Sequence, residues 1–263
     1  MKKTIYLFLL LLMPLSAAAQ EEIPANDITL TAGNYTKALG DSAYSNGEYE
    51  KAIDIYEKII SEKGSSVQLF YNLGNAYFRN NMLGKAILNY ERALLIDPTD
   101  EDAKANLELA QSRTKDELSE QYEIFFISWF KEFTALLNVT VWTVIGIVMF
   151  VLLLLSLLLL LFSKNTGIRK ISMAFAVISL IVTIFANISA YSLDSYMSDR
   201  SHAIVMKEEA SLKSTPNNSG TVLIKVHEGR KVKIADDTMS DWKEIELEDG
   251  TVGWVPSSVI ERI

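Results

Sequence analysis

The chain has no cysteine and only two histidines, His202 and His227. The missing cysteine excludes disulfides, thiolate metal sites, a thiol nucleophile and a lipid anchor through Cys. The two histidines have no third partner at metal-ligand spacing. Each reads as a surface residue, His202 in a linker and His227 at the end of a strand. None of the 12 glycines forms a phosphate-cradling loop, and no serine sits on a strand–helix elbow. Acid pairs such as Asp236-Asp237 and Glu208-Glu209 read as solvated turns. No catalytic constellation and no cofactor or metal site is predicted, so the chain reads as a non-enzyme. Basic charge is scarce too. Net charge is −8, and acids outnumber bases in both polar regions, which excludes a nucleic-acid-binding face.

Uncharged apolar runs are what the chain has in excess. Val139 to Phe162 carries no charge and centres on an unbroken leucine-rich stretch. As a helix it would be about 36 Å long, enough to cross a hydrocarbon core of about 30 Å. A second run covers 171–191. The loop between them, 163–170, holds Lys164, Arg169 and Lys170 and no acid. Two spans joined so closely form a hairpin in the bilayer, with both flanking regions on one side. The three cations favour the cytoplasm for the loop. Ser172, Ala176, Ser179, Thr183, Asn187 and Ala190 make a small, polar stripe suited to packing on the first span.

The N-terminus points the same way. Met1-Lys2-Lys3, an apolar stretch and Ala17-Ala18-Ala19 resemble a signal peptide over 1–19. A third span would leave the topology unchanged. The expected location is a bacterial inner membrane, with the N-terminal and C-terminal domains periplasmic. Residues 20–32 read as a flexible leader.

From about residue 33 the sequence repeats. Leu39-Gly40 recurs as Leu73-Gly74, Ala52-Ile53 as Ala86-Ile87, and Tyr56-Glu57 as Tyr90-Glu91, each 34 residues on. Period and residue types resemble the tetratricopeptide repeat, a helix–turn–helix unit. Repeats near 33–66 and 67–100 predict helices near 33–46, 49–62, 67–80 and 83–96. Two repeats leave an apolar face open, which a third, incomplete repeat over 100–118 would cap. Residues 119–138 follow. Within them Tyr122, Phe125, Phe126, Trp129, Phe130, Phe133, Leu136 and Leu137 fall at helical spacing, which predicts an amphipathic helix in the membrane interface. The competing reading packs it on the repeats.

After a linker, 192–202, the apolar period changes to two. Short strands and turns at Glu228-Gly229 and Glu248-Asp249-Gly250 predict a small barrel over 203–263. The ending from Trp242 to Pro256 is similar to the bacterial SH3-like domain. The expected fold is thus a multidomain membrane protein: an all-α tetratricopeptide-repeat solenoid, a two-helix transmembrane hairpin and an all-β SH3-like small barrel.

Binding surface is what remains for function. In such repeats the first helices line a concave groove, which here would carry Lys37, Asp41, Tyr44, Tyr71, Asn75, Phe78 and Arg79. Aromatics, amides and one Arg suit an extended peptide. Repeats of this kind that clamp a C-terminal carboxylate do so with basic and amide side chains. The matching positions here are Lys37, Asp41, Asn72, Asp102 and Asn106, and the two acids exclude that clamp. Trp242 and Trp254 are weaker candidates for a ligand face on the barrel. The order of parts over nearly the whole chain resembles the BatE family of the Bacteroides aerotolerance operon. That resemblance implies work with membrane-anchored Bat proteins carrying von Willebrand A domains and with a MoxR-type ATPase, in envelope or oxidative stress tolerance. The implied partners are proteins and the lipid bilayer; a receptor for peptidoglycan through the barrel is the competing expectation.

Overall fold

The structure, a computed structural model, describes residues 35–116 and 125–263. The signal-like segment, the leader and Tyr122 lie outside them. The first part is five helices: α1 (Lys37–Ser45), α2 (Tyr49–Lys63), α3 (Val67–Arg79), α4 (Leu83–Ile96) and α5 (Glu101–Gln111). Local chemistry sets their ends. The side chains of Thr36, Ser66 and Asp100 accept from backbone N–H groups of α1, α3 and α5. Gly47 and Gly64, at φ +82° and +92°, break the chain after α1 and α2. Glu101 and Asp102 lie in the first turn of α5, where the helix dipole favours them.

The period of 34 is a repeated contact. A Cβ on Gly40 would lie 2.5 Å from the Tyr56 ring, and one on Gly74 would lie 2.6 Å from the Tyr90 ring. Ala52 and Ala86, also one repeat apart, are fully buried. Helices α1–α4 so form two equivalent pairs, and α5 closes the end with Ala103, Leu107 and Ala110.

Three helices follow: α6 (Phe125–Thr134), α7 (Val139–Phe162) and α8 (Thr166–Ser198). Helices α7 and α8 are long and apolar enough to cross a membrane. They pack side by side, with Ser156, Ser172, Ala176 and Ser179 buried and most large apolar side chains facing outward. Gly146 admits the Asn187 amide at the contact. The second helix overruns its predicted span at both ends. Asn165 caps it through the N–H groups of Gly167 and Ile168, so helix begins inside the predicted loop. It continues through most of the predicted linker, because 192–198 holds no Gly or Pro to stop it. Helix α6 lies at the start of α7. The Trp142 indole N–H donates to the Thr134 carbonyl at 3.0 Å, and Phe130 and Phe133 meet Phe185 of α8 edge to face. The aromatic helix thus packs on the hairpin.

The C-terminal part is an antiparallel sheet: β1 (His202–Val205), β2 (Glu209–Lys213), β3 (Val222–His227), β4 (Lys231–Asp236), β5 (Trp242–Glu246), β6 (Val252–Pro256) and β7 (Ile260–Arg262). The strand order is β3-β2-β6-β5-β4-β1-β7. That order is open, with β3 and β7 at the edges, and differs from the closed small barrel predicted. Strand β2 meets β6 through the single register pair Lys213↔Trp254, beside a register shift at Leu212/Lys213 in its pairing with β3. Val205, Leu212, Val226, Ile245 and Val255 are fully buried in the sheet's core.

Candidate protein-binding surface

The groove residues are organised by hydrogen bonds that repeat with the helices. Asp41 Oδ1 accepts from the Tyr56 hydroxyl at 2.6 Å and from Asn72 Nδ2 at 3.0 Å. One repeat on, Asn75 Oδ1 accepts from the Tyr90 hydroxyl at 2.7 Å and from Asn106 Nδ2 at 2.9 Å. Each acceptor is on the first helix of a repeat, each tyrosine on the second helix, and each donor amide on the first helix of the next unit. The same bonds that would shape a ligand surface therefore hold successive repeats in register. Asn72 and Asn106 spend their donors inside the stack, which adds to the case against a carboxylate clamp.

Around this frame lies a cleft of 220 Å³ bordered by Asp41, Tyr44, Ser45, Tyr56, Asn72 and Asn75. Lys37 bonds to Asp41 at 2.8 Å, so its charge is paired. Tyr44 meets Tyr49 edge to face, and the Arg79 guanidinium lies 5.3 Å from the Tyr49 ring centre. Tyr71 leans on Tyr90 and accepts from Asn106 Nδ2. The Arg113 guanidinium covers Phe78 at 4.4 Å. Burial raises the Tyr44 hydroxyl, while Arg79 opposes it. Burial, then the bond to Asp41, raises Tyr56 further, and burial raises Tyr90. All three stay neutral donors at physiological pH. Lys37, Asp41, Tyr44 and Asn75 are joined directly or line the cleft, and Tyr71 ties to it through Asn106; Arg79 connects to it through Tyr49 and Tyr44, and Phe78, further along α3 under Arg113, is not part of its lining. Tyr49 and Arg113 were missed by the sequence reading, and Asn72 and Asn106, considered there only as positions of the excluded carboxylate clamp, turn out to bond across the repeats. The 34-residue spacing of Asn72 and Asn106, and of Arg79 and Arg113, was a visible signal; Tyr49 had none.

Two stretches match models of the tetratricopeptide repeat. They are residues 38–65 and 67–100, the two helix pairs built on Tyr56 and Tyr90. No curated protein matches the chain. Repeats of this kind point to binding of protein partners.

The second face is also real geometry. The β5–β6 register sets Trp242 opposite Pro256 and Glu244 opposite Trp254. Trp242 and Trp254 therefore share the face away from buried Ile245 and Val255, and the Lys213 ammonium lies 5.6 Å from the Trp242 ring centre.

The sheet also docks on the repeats, a contact that no motif or spacing announces. Ala203 and Val205 enter the sheet's core, while Ile204 between them enters the core of the repeats together with Ile263. Glu228 accepts from the Gly84 N–H at 2.8 Å, at the N-terminal end of α4, where a carboxylate is favoured. Lys231 meets Glu91 at 2.7 Å, with the Glu91 side chain 5% exposed. His227, expected at the surface, bonds through Nδ1 to Asp116 at 2.6 Å, and its backbone N–H bonds to the same carboxylate. Nothing near it in sequence announces a partner; only the fold brings Asp116 to it. His202, placed in the linker, begins β1.

Proposed function

We propose that this protein is a non-enzymatic scaffold of a bacterial inner membrane, with its repeats and its sheet on the periplasmic side. It holds partner proteins in the aromatic cleft of the repeats. The observation that carries this reading is the cleft with the aromatics beside it: Tyr44, Tyr71 and Phe78 are held by ring contacts and cross-repeat hydrogen bonds, so little side-chain entropy is left to lose on binding. Rigid aromatics with an Arg beside them are the residue types that dominate protein interfaces. A hairpin anchor adds to this, since confining both partners to one membrane raises their effective concentration. The sheet, in this reading, is an SH3-like domain that braces the stack.

The order of parts supports membership of the BatE family, and so a role in an aerotolerance or other stress-related membrane complex with anchored Bat proteins. The experiment is co-purification from detergent. The double variant Tyr71→Ala/Phe78→Ala is expected to release the partner with helical content unchanged, whereas Trp242→Ala/Trp254→Ala releases less. Retention of every partner by the first variant would sink the proposal.

The patch of Trp242, Trp254 and Lys213 favours one second reading, a cell-wall receptor that binds peptidoglycan. Binding of the full chain to purified peptidoglycan, lost on Trp242→Ala, would support it.

A further inference from the structure

Two arginines of the repeats stand one repeat apart, 34 residues: Arg79 at the end of α3 and Arg113 just past the end of α5. Ser45 holds the same place in the first unit. The helix dipole favours a cation at such an end, and an aromatic ring then fixes it. The Arg79 guanidinium lies over the Tyr49 ring at 5.3 Å, and the Arg113 guanidinium lies over the Phe78 ring at 4.4 Å. A guanidinium stacked on a ring keeps its in-plane N–H groups for a carboxylate. Among the described residues neither one bonds to an acid.

That sets the pair apart in a chain with a net charge of −8, where acids are in surplus. Lys37, Lys51, Arg92 and Lys104 each meet a carboxylate. The acids on either side are committed. Asp41 accepts from Lys37, Tyr56 and Asn72. Asp116, three residues past Arg113, is held by His227 and Arg230. Leu109 adds an apolar element. It stands 34 residues after Asn75 and so takes that residue's place on the concave face, but it cannot extend the cross-repeat bonds, and it is 46% exposed.

The face thus offers two oriented cations and an apolar seat. Helices α3 and α5 are neighbours, joined by the Asn75–Asn106 bond, and packed helix axes lie about 8–10 Å apart. Acids two or three residues apart along an extended segment stand about 7–10 Å apart. We propose that the partner held by the repeats presents an acidic extended segment here, with one carboxylate on Arg79, a second on Arg113 and an apolar residue on Leu109. The proposal rests on the reading of the repeats as a partner-binding surface and names the chemistry of what they bind. Neither arginine is a position of the excluded carboxylate clamp, and a pair one unit apart fits two side-chain carboxylates rather than one chain end. A single small anion would answer one guanidinium and leave the other. A neutral segment would cover both cations without pairing them, which costs their hydration.

The test uses the full chain in detergent micelles and three displayed libraries of dodecapeptides, with Glu, Gln or Lys at alternate positions and random residues between. Binders are expected from the Glu library and not from the other two. They should bind Arg79→Gln and Arg113→Gln each about tenfold more weakly, the loss of a charge-assisted pair. Arg79→Lys should recover only part of the loss, because Lys lacks the planar fork. Both arginines are exposed, so these variants should keep the helical content of the wild type. Lys51→Gln, which removes a paired cation from α2, should leave affinity unchanged. Gln-library binders that are lost from Tyr71→Ala/Phe78→Ala but not from the arginine variants would keep the repeats as a protein-binding surface and overturn the acidic segment. An equal loss with Lys51→Gln would reduce the effect to overall charge and overturn it too. So would arginine-dependent binding of short-chain phosphatidylglycerol with no peptide enriched, which would give the pair to lipid headgroups. If no library is enriched the acidic segment falls, while co-purification tests the reading beneath it separately.

Discussion

Replacing Gly74 with Ala sets two effects against each other. Ala is favoured over Gly inside a helix by about 1 kcal/mol, so propensity alone predicts a stabler α3. The new methyl would lie 2.6 Å from Tyr90 Cε1, where ordinary contact is 3.4–4 Å. Tyr90 is 1% exposed and has nowhere to retreat. Its hydroxyl donates to Asn75 at 2.7 Å, and swinging the ring away would forfeit a bond worth about 1 kcal/mol. Overpacking a filled core costs about 1–3 kcal/mol. The bond lost and the propensity gained nearly cancel, so Gly74→Ala should destabilise by about 1–3 kcal/mol. Hydrogen exchange of α3 and α4 amides in the full chain reads this as a lower opening free energy. In a Tyr90→Leu background the ring is gone, and the same substitution should become neutral or stabilising, by up to about 1 kcal/mol. Gly40→Ala repeats the test, its Cβ falling 2.5 Å from Tyr56. If Gly74→Ala raises stability with Tyr90 present, the Gly–Tyr contact does not set the spacing of the repeats.

Glu91→Ala should strand the largely buried ammonium of Lys231, costing about 3–5 kcal/mol at the seam; unchanged protease resistance between repeats and sheet would refute this. Burial pushes the Asp116 carboxyl up, but bonds from the His227 ring and N–H, with Arg230, outweigh it and hold it below the usual range. A depressed carboxyl stabilises above its unfolded value and loses that as pH falls through the folded one. The stability advantage of the wild type over Asp116→Asn should therefore persist at neutral pH and shrink only below about pH 4. Its disappearance between pH 7 and 6 would assign the effect to another group. Single cysteines at Ser66 and Ser219 should react with a membrane-impermeant reagent once the outer membrane is opened, and one at Asn165 should not; the reverse pattern inverts the topology.

Much of the helical part could be read in advance because its determinants are local or periodic. Gly40 and Gly74, Ala52 and Ala86, and Tyr56 and Tyr90 each announce themselves by type and spacing. The two apolar helices were equally plain, and the first runs over 139–162 as predicted, yet the ends of the second were not, since Asn165 and the helix-tolerant run to Ser198 decide them. The closed barrel was overread: alternation locates strands but does not say whether the edges β3 and β7 meet. The docking of sheet on repeats was invisible. Ile204 looks like one more residue of an apolar strand, and only the fold shows that it faces the repeats while Ala203 and Val205 face the sheet. Asp116 and His227 are 111 residues apart, a separation no spacing rule reaches. The groove residues were chosen by position alone; Asp41, Tyr44 and Asn75 of them border one cleft, and the bonding of Asp41 to Asn72 and of Asn75 to Asn106 was not anticipated.

The docking changes how the binding proposal has to be tested. Removing 203–263 would strip Ile204 and Ile263 from the core of the repeats, so that deletion would damage the cleft as well as the sheet. Site-specific photo-crosslinking in intact cells avoids this. With a crosslinkable residue at Tyr44, Phe78 or Trp254 in turn, the account predicts that Tyr44 and Phe78 capture the same membrane-anchored protein and that Trp254 does not. Capture from Trp254 alone, with neither cleft position reactive, would contradict it.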